Sequence, residues 1–121
     1  MSVAVLFGIG LLGGAGAIAR FLLDGAVARR AGRAFPWGTL AVNLSGAFGL
    51  GLLVGTAVEG DPYRLVGTGL VGAFTTFSTW ALESHRLSED GQLRLGVVNF
   101  AVSLALGVGA AWLGREIGAL L

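Results

Sequence analysis

Four hydroxyls, Thr75, Thr76, Ser78 and Thr79, fall within five positions of a stretch that carries no charge from Leu65 to Leu82. A lone Ser or Thr in an apolar helix bonds back to its own backbone and needs no further account. Four so close together, with Gly69 and Gly72 just before them, predict a local break in the helix. Such a break is tolerated at membrane depth only where protein buries it or water reaches it. The carbonyls it frees suit a small cation. Phe74, Phe77 and Trp80 follow one another at intervals of three, which on a continuous helix makes one aromatic face. That face is either ordinary packing or a wall whose positive ring edges meet an anion.

Other polar groups recur at helical spacing. Thr39 and Asn43 stand one turn apart, and Asn99 and Ser103 repeat the interval. An Asn inside a membrane either joins helices or lines a polar path, and spacing leaves both open. Arg20 is the one strong charge within an apolar run. Deep in a bilayer it needs a partner or water; near the surface it snorkels, with Asp24 one turn on as an ion-pair partner. Hydroxyls, amides and ring edges thus dominate, and no carboxylate stands at the centre of any apolar run. A carrier of cations or protons would place Asp or Glu there, so this donor set suits an anion. No nucleophile and base pair is apparent, which argues against an enzyme. With no Cys there is no thiolate site. His85 lies among Glu83, Ser84, Arg86, Glu89 and Asp90 and reads as a solvated histidine, since a metal site needs several ligands.

The elements that must position these groups are membrane helices. Residues are 55% hydrophobic and 12% charged, with mean hydropathy +0.81; a soluble domain carries about twice that charge. The net charge of +1 gives no nucleic-acid signal. Uncharged runs cover 1–19, 34–58, 65–82 and 95–114, each near the ~20 residues that cross a bilayer, and none alternates as a barrel strand would. The N-terminal run lacks the basic start of a signal peptide and reads as a first span. One domain of four transmembrane helices is therefore expected over 1–121, at about 3–23, 37–58, 63–82 and 95–114. Pro36 suits a helix start and Trp37 an interfacial belt. The short link Glu59–Pro62 makes the second and third helices antiparallel neighbours. Four such helices are too thin a bundle to shield a polar path from lipid, so an oligomer is expected, with Gly10/Gly14 and Gly51/Gly55 available for close contacts.

Three blocks, Gly13-Gly14-Ala15-Gly16-Ala17-Ile18-Ala19-Arg20, Gly38-Thr39-Leu40-Ala41-Val42-Asn43 and Gly72-Ala73-Phe74-Thr75-Thr76-Phe77-Ser78-Thr79, together resemble the signatures of the CrcB/Fluc fluoride channels. The resemblance runs through all four expected spans in order. It implies a passive fluoride-selective channel of the cell membrane that exports the toxic anion, built as an antiparallel dimer with two pores. It further implies a structural, untransported sodium ion at the dimer centre, held by main-chain carbonyls that fall at Gly72 and Thr75. By the same resemblance Phe77 and Trp80 occupy pore aromatic positions, the second usually Phe. Asn43 matches a pore asparagine, Ser103 a hydroxyl track on the fourth helix, and Arg20 the arginine ending the first block. Thr39 and Thr79 complete the candidate fluoride path.

Two other readings compete. Small multidrug exporters are also short four-helix antiparallel dimers, but they rely on a Glu in the first helix, and this chain has no carboxylate before Asp24. A non-transporting assembly subunit fits the composition but leaves the hydroxyl-rich break without a purpose. Charge adds a topological expectation. Arg29, Arg30, Arg33, Arg86 and Arg94 follow the first and third spans, against Arg64 and Arg115 on the other face. Positive charge favours the cytoplasm, so the termini prefer the outside. The partner is then either a second copy inserted the other way or a homologue with reversed bias.

Overall fold

Ser2 starts the first helix by accepting the Val5 N–H on its Oγ at 3.2 Å. In the computed structural model, which describes the side chains of residues 1–76 and 80–121, α1 (Val3–Ala31) runs for 29 residues. It closes at Gly32, whose φ of 80° and N–H bond to the Ala28 carbonyl end the helical ladder. At 1.5 Å per residue α1 is about 43 Å long and overruns a hydrocarbon core of ~30 Å. The overrun carries Asp24, Arg29 and Arg30, where cations suit a helix C-terminus. Charge ends an apolar span without ending a helix, which is why α1 passes the expected limit at Leu23.

Helix α2 (Trp37–Gly55) begins directly after Pro36 and stops three residues short of the expected end. Ala57 takes a left-handed φ of 58° and Gly60 one of 69°, so the chain turns sharply there. The stretch that follows is segmented. A short α3 (Gly60–Tyr63) leads into a π-helix (Arg64–Val71) and the single turn of α4 (Gly72–Phe74). Thr75 is extended at φ −80° and ψ 157°, and α5 (Phe77–Glu89) resumes beyond it. The chain finishes with α6 (Leu93–Ala119). Among the described residues α1, α2 and α6 are long and apolar enough to cross a membrane. The third expected span is not one helix: its pieces lie on either side of the break and extend past Leu82 to Glu89.

Packing follows the glycines. The closest partner of α2 is α6, and the π-helix lies chiefly on α1. Helix α2 also touches the π-helix, α4 and α5, the segments that the short link makes its neighbours, though less extensively than it touches α6. A Cβ at Gly51 would overlap the Ala111 carbonyl and one at Gly55 the Arg115 carbonyl. From the other side, a Cβ at Gly114 would overlap the Phe48 carbonyl. The Gly51/Gly55 pair, expected to serve contact between copies, is thus used within the chain. Gly16 meets the Leu70 carbonyl in the same manner. Gly10 and Gly14 have nothing within 4 Å, and the apolar side chains Phe7, Leu11 and Phe21 beside them on α1 are exposed, as lipid-facing groups are.

Candidate functional site

The break is held open by an amide from another helix. Asn43 on α2 accepts the Thr76 N–H on Oδ1 at 2.8 Å and donates from Nδ2 to the Thr76 carbonyl at 2.9 Å. Each end of the amide can play only its own role here. In a continuous helix the Thr76 N–H would close a turn on the carbonyl of Gly72; it is given to Asn43 instead, and Gly72 stands exposed. Thr75 turns its N–H and hydroxyl back to the Val71 carbonyl, at 3.0 and 3.2 Å. One turn along α2, Gly46 receives the Thr75 methyl, which a Cβ there would overlap. The carbonyls at the break are neutral oxygens, a ligand set that fits a hard cation bound through oxygen alone.

Beside the break lies an open groove of about 460 Å³. Asn43, Thr75, Thr76 and Ser103 are its polar lining, set among apolar residues of α2, the π-helix and α6. Asn43 therefore does both things an intramembrane Asn can do: it joins two elements and lines the polar patch. Trp80 borders the groove too, but the residue is 8% exposed. Its ring stacks on Phe100 with centroids 4.7 Å apart, and Nε1 donates to the Asn99 carbonyl at 3.4 Å. The extended Thr75 separates Phe74, on α4, from Trp80, on α5, so these two do not share one continuous helix. The side chains of Phe77 and Thr79, both assigned to the candidate path, lie outside the described residues.

Thr39 is not part of the groove lining. Its hydroxyl donates to Glu83 Oε1 at 2.6 Å, beside a pocket of about 420 Å³ lined by Asp24, Arg33, Trp37, Glu83 and Arg86 among others. Glu83 follows the expected third span. Burial pushes its carboxyl above the usual carboxylate range; the Thr39 bond opposes this, Asp24 adds to it, and Arg86 and Arg33 oppose it. In the sequence Glu83 lies in a polar segment with His85 and Arg86. Its signal was the interval to Trp80, which places the two on one face of α5. Among the described residues Arg20 makes no ion pair with Asp24; Arg64 pairs with Asp61, and His85 Nε2 lies 3.0 Å from Glu89 Oε1. His85 is exposed, as a solvated histidine is.

Behind Ser103 lies a polar cluster. Ser103 donates to Asn99 Oδ1 at 3.3 Å, Asn99 Nδ2 donates to Ser84 Oγ at 2.7 Å, and Ser84 donates to the Trp80 carbonyl at 2.9 Å. Asn99 and Ser84 are buried. The repeated interval of Asn99 and Ser103 signalled this partnership; nothing in the sequence pointed to Ser84.

Comparison with known proteins adds a family. Residues 7–115 match the model of the CrcB-like protein, Camphor Resistance (CrcB), family. The chain is 53% identical to "Fluoride-specific ion channel FluC 2" of Mycolicibacterium paratuberculosis, over 99% of this chain and 98% of that one. It is 52% identical to the protein of the same name in Mycobacterium tuberculosis, over 97% and 93%. "Fluoride-specific ion channel FluC 1" of Symbiobacterium thermophilum is 47% identical over 91% and 94%.

Proposed function

Because the chain belongs to the CrcB-like protein family, we propose that it forms a fluoride-selective passive channel in the cell membrane. Fluoride leaves the cytoplasm down its own gradient, and its toxicity is relieved. The segments on either side of the break together provide the fourth crossing. Two chains face each other through the groove, in opposite orientations, as a homodimer or with a homologue of reversed charge bias.

The observation that carries this reading is the groove beside the break, whose polar lining is made of neutral groups, Asn43, Thr75, Thr76 and Ser103. Fluoride is small and strongly hydrated, so a path for it must replace water with donors. Amide and hydroxyl hydrogens do this without the repulsion a carboxylate would bring at close range. Apolar walls strengthen each such contact by lowering the local dielectric. Asn43 and Ser103 are the lining donors, with Phe77 and Trp80 as the aromatic part of the path and Thr79 beside them. Thr39, one turn from Asn43 and bonded to Glu83, stands where the path opens toward the charged pocket. Arg20 supplies a positive charge within the span that favours an anion nearby.

A sodium ion sits between the two breaks, held by the Gly72 and Thr75 carbonyls of both chains. When bound, it supplies positive charge against the converging carbonyl dipoles, and it is not transported. Support for it is the Thr76 N–H, which bonds Asn43 where a continuous helix would turn it onto Gly72, and the uncharged oxygen set at the break.

Export is tested in cells. Expression of the chain in a fluoride-sensitised bacterial strain is expected to restore growth in fluoride-containing medium. Growth no better than with an empty vector, with the protein present in the membrane, would count against the proposal.

A further inference from the structure

Asn99 is 1% exposed, yet every polar atom of its side chain is used. The bonds it joins have a direction. Ser103 donates to Asn99, Asn99 to Ser84, and Ser84 to the Trp80 carbonyl. Each hydroxyl has one hydrogen to give, so in this arrangement the Ser103 hydrogen points away from the groove that Ser103 lines. An anion in the groove would meet its lone pairs.

Ser103, Asn99 and Ser84 satisfy one another in the reverse sense as well. With the Asn99 amide turned over, Nδ2 donates to Ser103 and Oδ1 accepts from Ser84. The Ser103 hydrogen is then released toward the groove. What is lost is the Ser84 bond to the Trp80 carbonyl, a hydroxyl returning to its own helix, which contributes little. The link from Ser103 to Asn99 is also the longest of the three, 3.3 Å against 2.7 and 2.9 Å. Bonds donated by a hydroxyl to oxygen are strongest near 2.7–2.8 Å, so this is the contact that gives way first.

We infer that Asn99 is a positioning residue whose amide reversal converts Ser103 from a lone-pair face into a hydrogen-bond donor for the anion. This rests on the reading of Ser103 as a lining residue of a fluoride path. Trp80 supports the switch from behind: its indole bonds the Asn99 main-chain carbonyl, so the backbone stays fixed while the amide turns.

The test is a double-mutant cycle on fluoride efflux from liposomes, using Asn99→Leu, Ser84→Ala and Ser103→Ala. Asn99→Leu keeps the volume and removes both amide functions, and Ser103 then bonds back to its own helix. Efflux is expected to fall about tenfold, the worth of roughly one hydrogen bond to a permeating ion. Added to Ser103→Ala, the same change is expected to have no further effect. Ser84→Ala, the milder probe should Asn99→Leu fold poorly, is expected to slow efflux in the parent and not in the Ser103→Ala protein. Equal slowing in both backgrounds would mean that Asn99 only packs α5 against α6, and would overturn the inference while leaving the channel intact. Undiminished efflux in Ser103→Ala would overturn it as well, by removing Ser103 from the path. Absence of fluoride efflux from the parent protein would overturn the channel reading itself.

Discussion

At the scale of single residues, Asn43 does the most with least. Its two bonds to Thr76 replace a turn of helix with a side-chain splint, and they do so in the wall of the groove. The amide accepts the N–H at one end and donates to the carbonyl at the other. Asn43→Asp keeps the shape and loses the donor, so a carboxylate faces the Thr76 carbonyl. Leaving one such group unsatisfied costs ~1–3 kcal/mol, and a negative charge then stands on the proposed anion path. Fluoride efflux through Asn43→Asp is expected to fall by about tenfold or more. Undiminished efflux in a protein that elutes and melts like the parent would remove Asn43 from the path. The residue types were legible from the sequence, because an amide or a hydroxyl in an apolar run stands out. Their partners were not. Thr39 and Asn43 share a spacing, yet Thr39 bonds Glu83 and Asn43 bonds the break, a division set by helices distant in sequence.

At the scale of elements, glycine decides which helices touch. Gly51 and Gly55 bring α2 against the α6 backbone, while Gly10 and Gly14 face open space in the single chain. Gly51→Ala would force a methyl into the Ala111 carbonyl, an overpacking of the kind that costs ~1–3 kcal/mol. Gly10→Ala and Gly14→Ala meet nothing within the chain and gain some helix propensity. Melting of detergent-solubilised variants is expected to drop for Gly51→Ala and to hold for the other two. Equal losses at all three would contradict this packing. The break was legible because hydroxyls and glycines crowd at one depth. The π-helix was not: over eight residues a shift from four-residue to five-residue bonding leaves no periodic trace. Hydropathy marks the membrane boundary, while hydrogen bonding carries α1, α5 and α6 beyond it, to Ala31, Glu89 and Ala119.

At the scale of the whole molecule, the groove and the exposed apolar faces ask what covers them, and the charges ask which way the chain sits. Five arginines follow the first and third spans, Arg29, Arg30, Arg33, Arg86 and Arg94, against Arg64 and Arg115 opposite. The absence of cysteine makes orientation directly readable. One Cys is placed near Arg33 and, in a separate protein, one at the C-terminus, and intact cells are treated with an impermeant thiol reagent. The charge bias predicts stronger labelling at the C-terminus. Labelling there alone means a fixed orientation and a homologous partner; substantial labelling of both means a homodimer of opposed copies. Labelling near Arg33 alone would contradict the charge argument.

Everything proposed for this chain rests on a path of neutral donors that admits fluoride and refuses larger anions. Purified protein in liposomes loaded with both salts, followed by fluoride and chloride electrodes as the membrane potential is released, measures that claim directly. Fluoride is expected to leave rapidly while chloride stays inside. Retention of fluoride, or loss of chloride at a comparable rate, would contradict it.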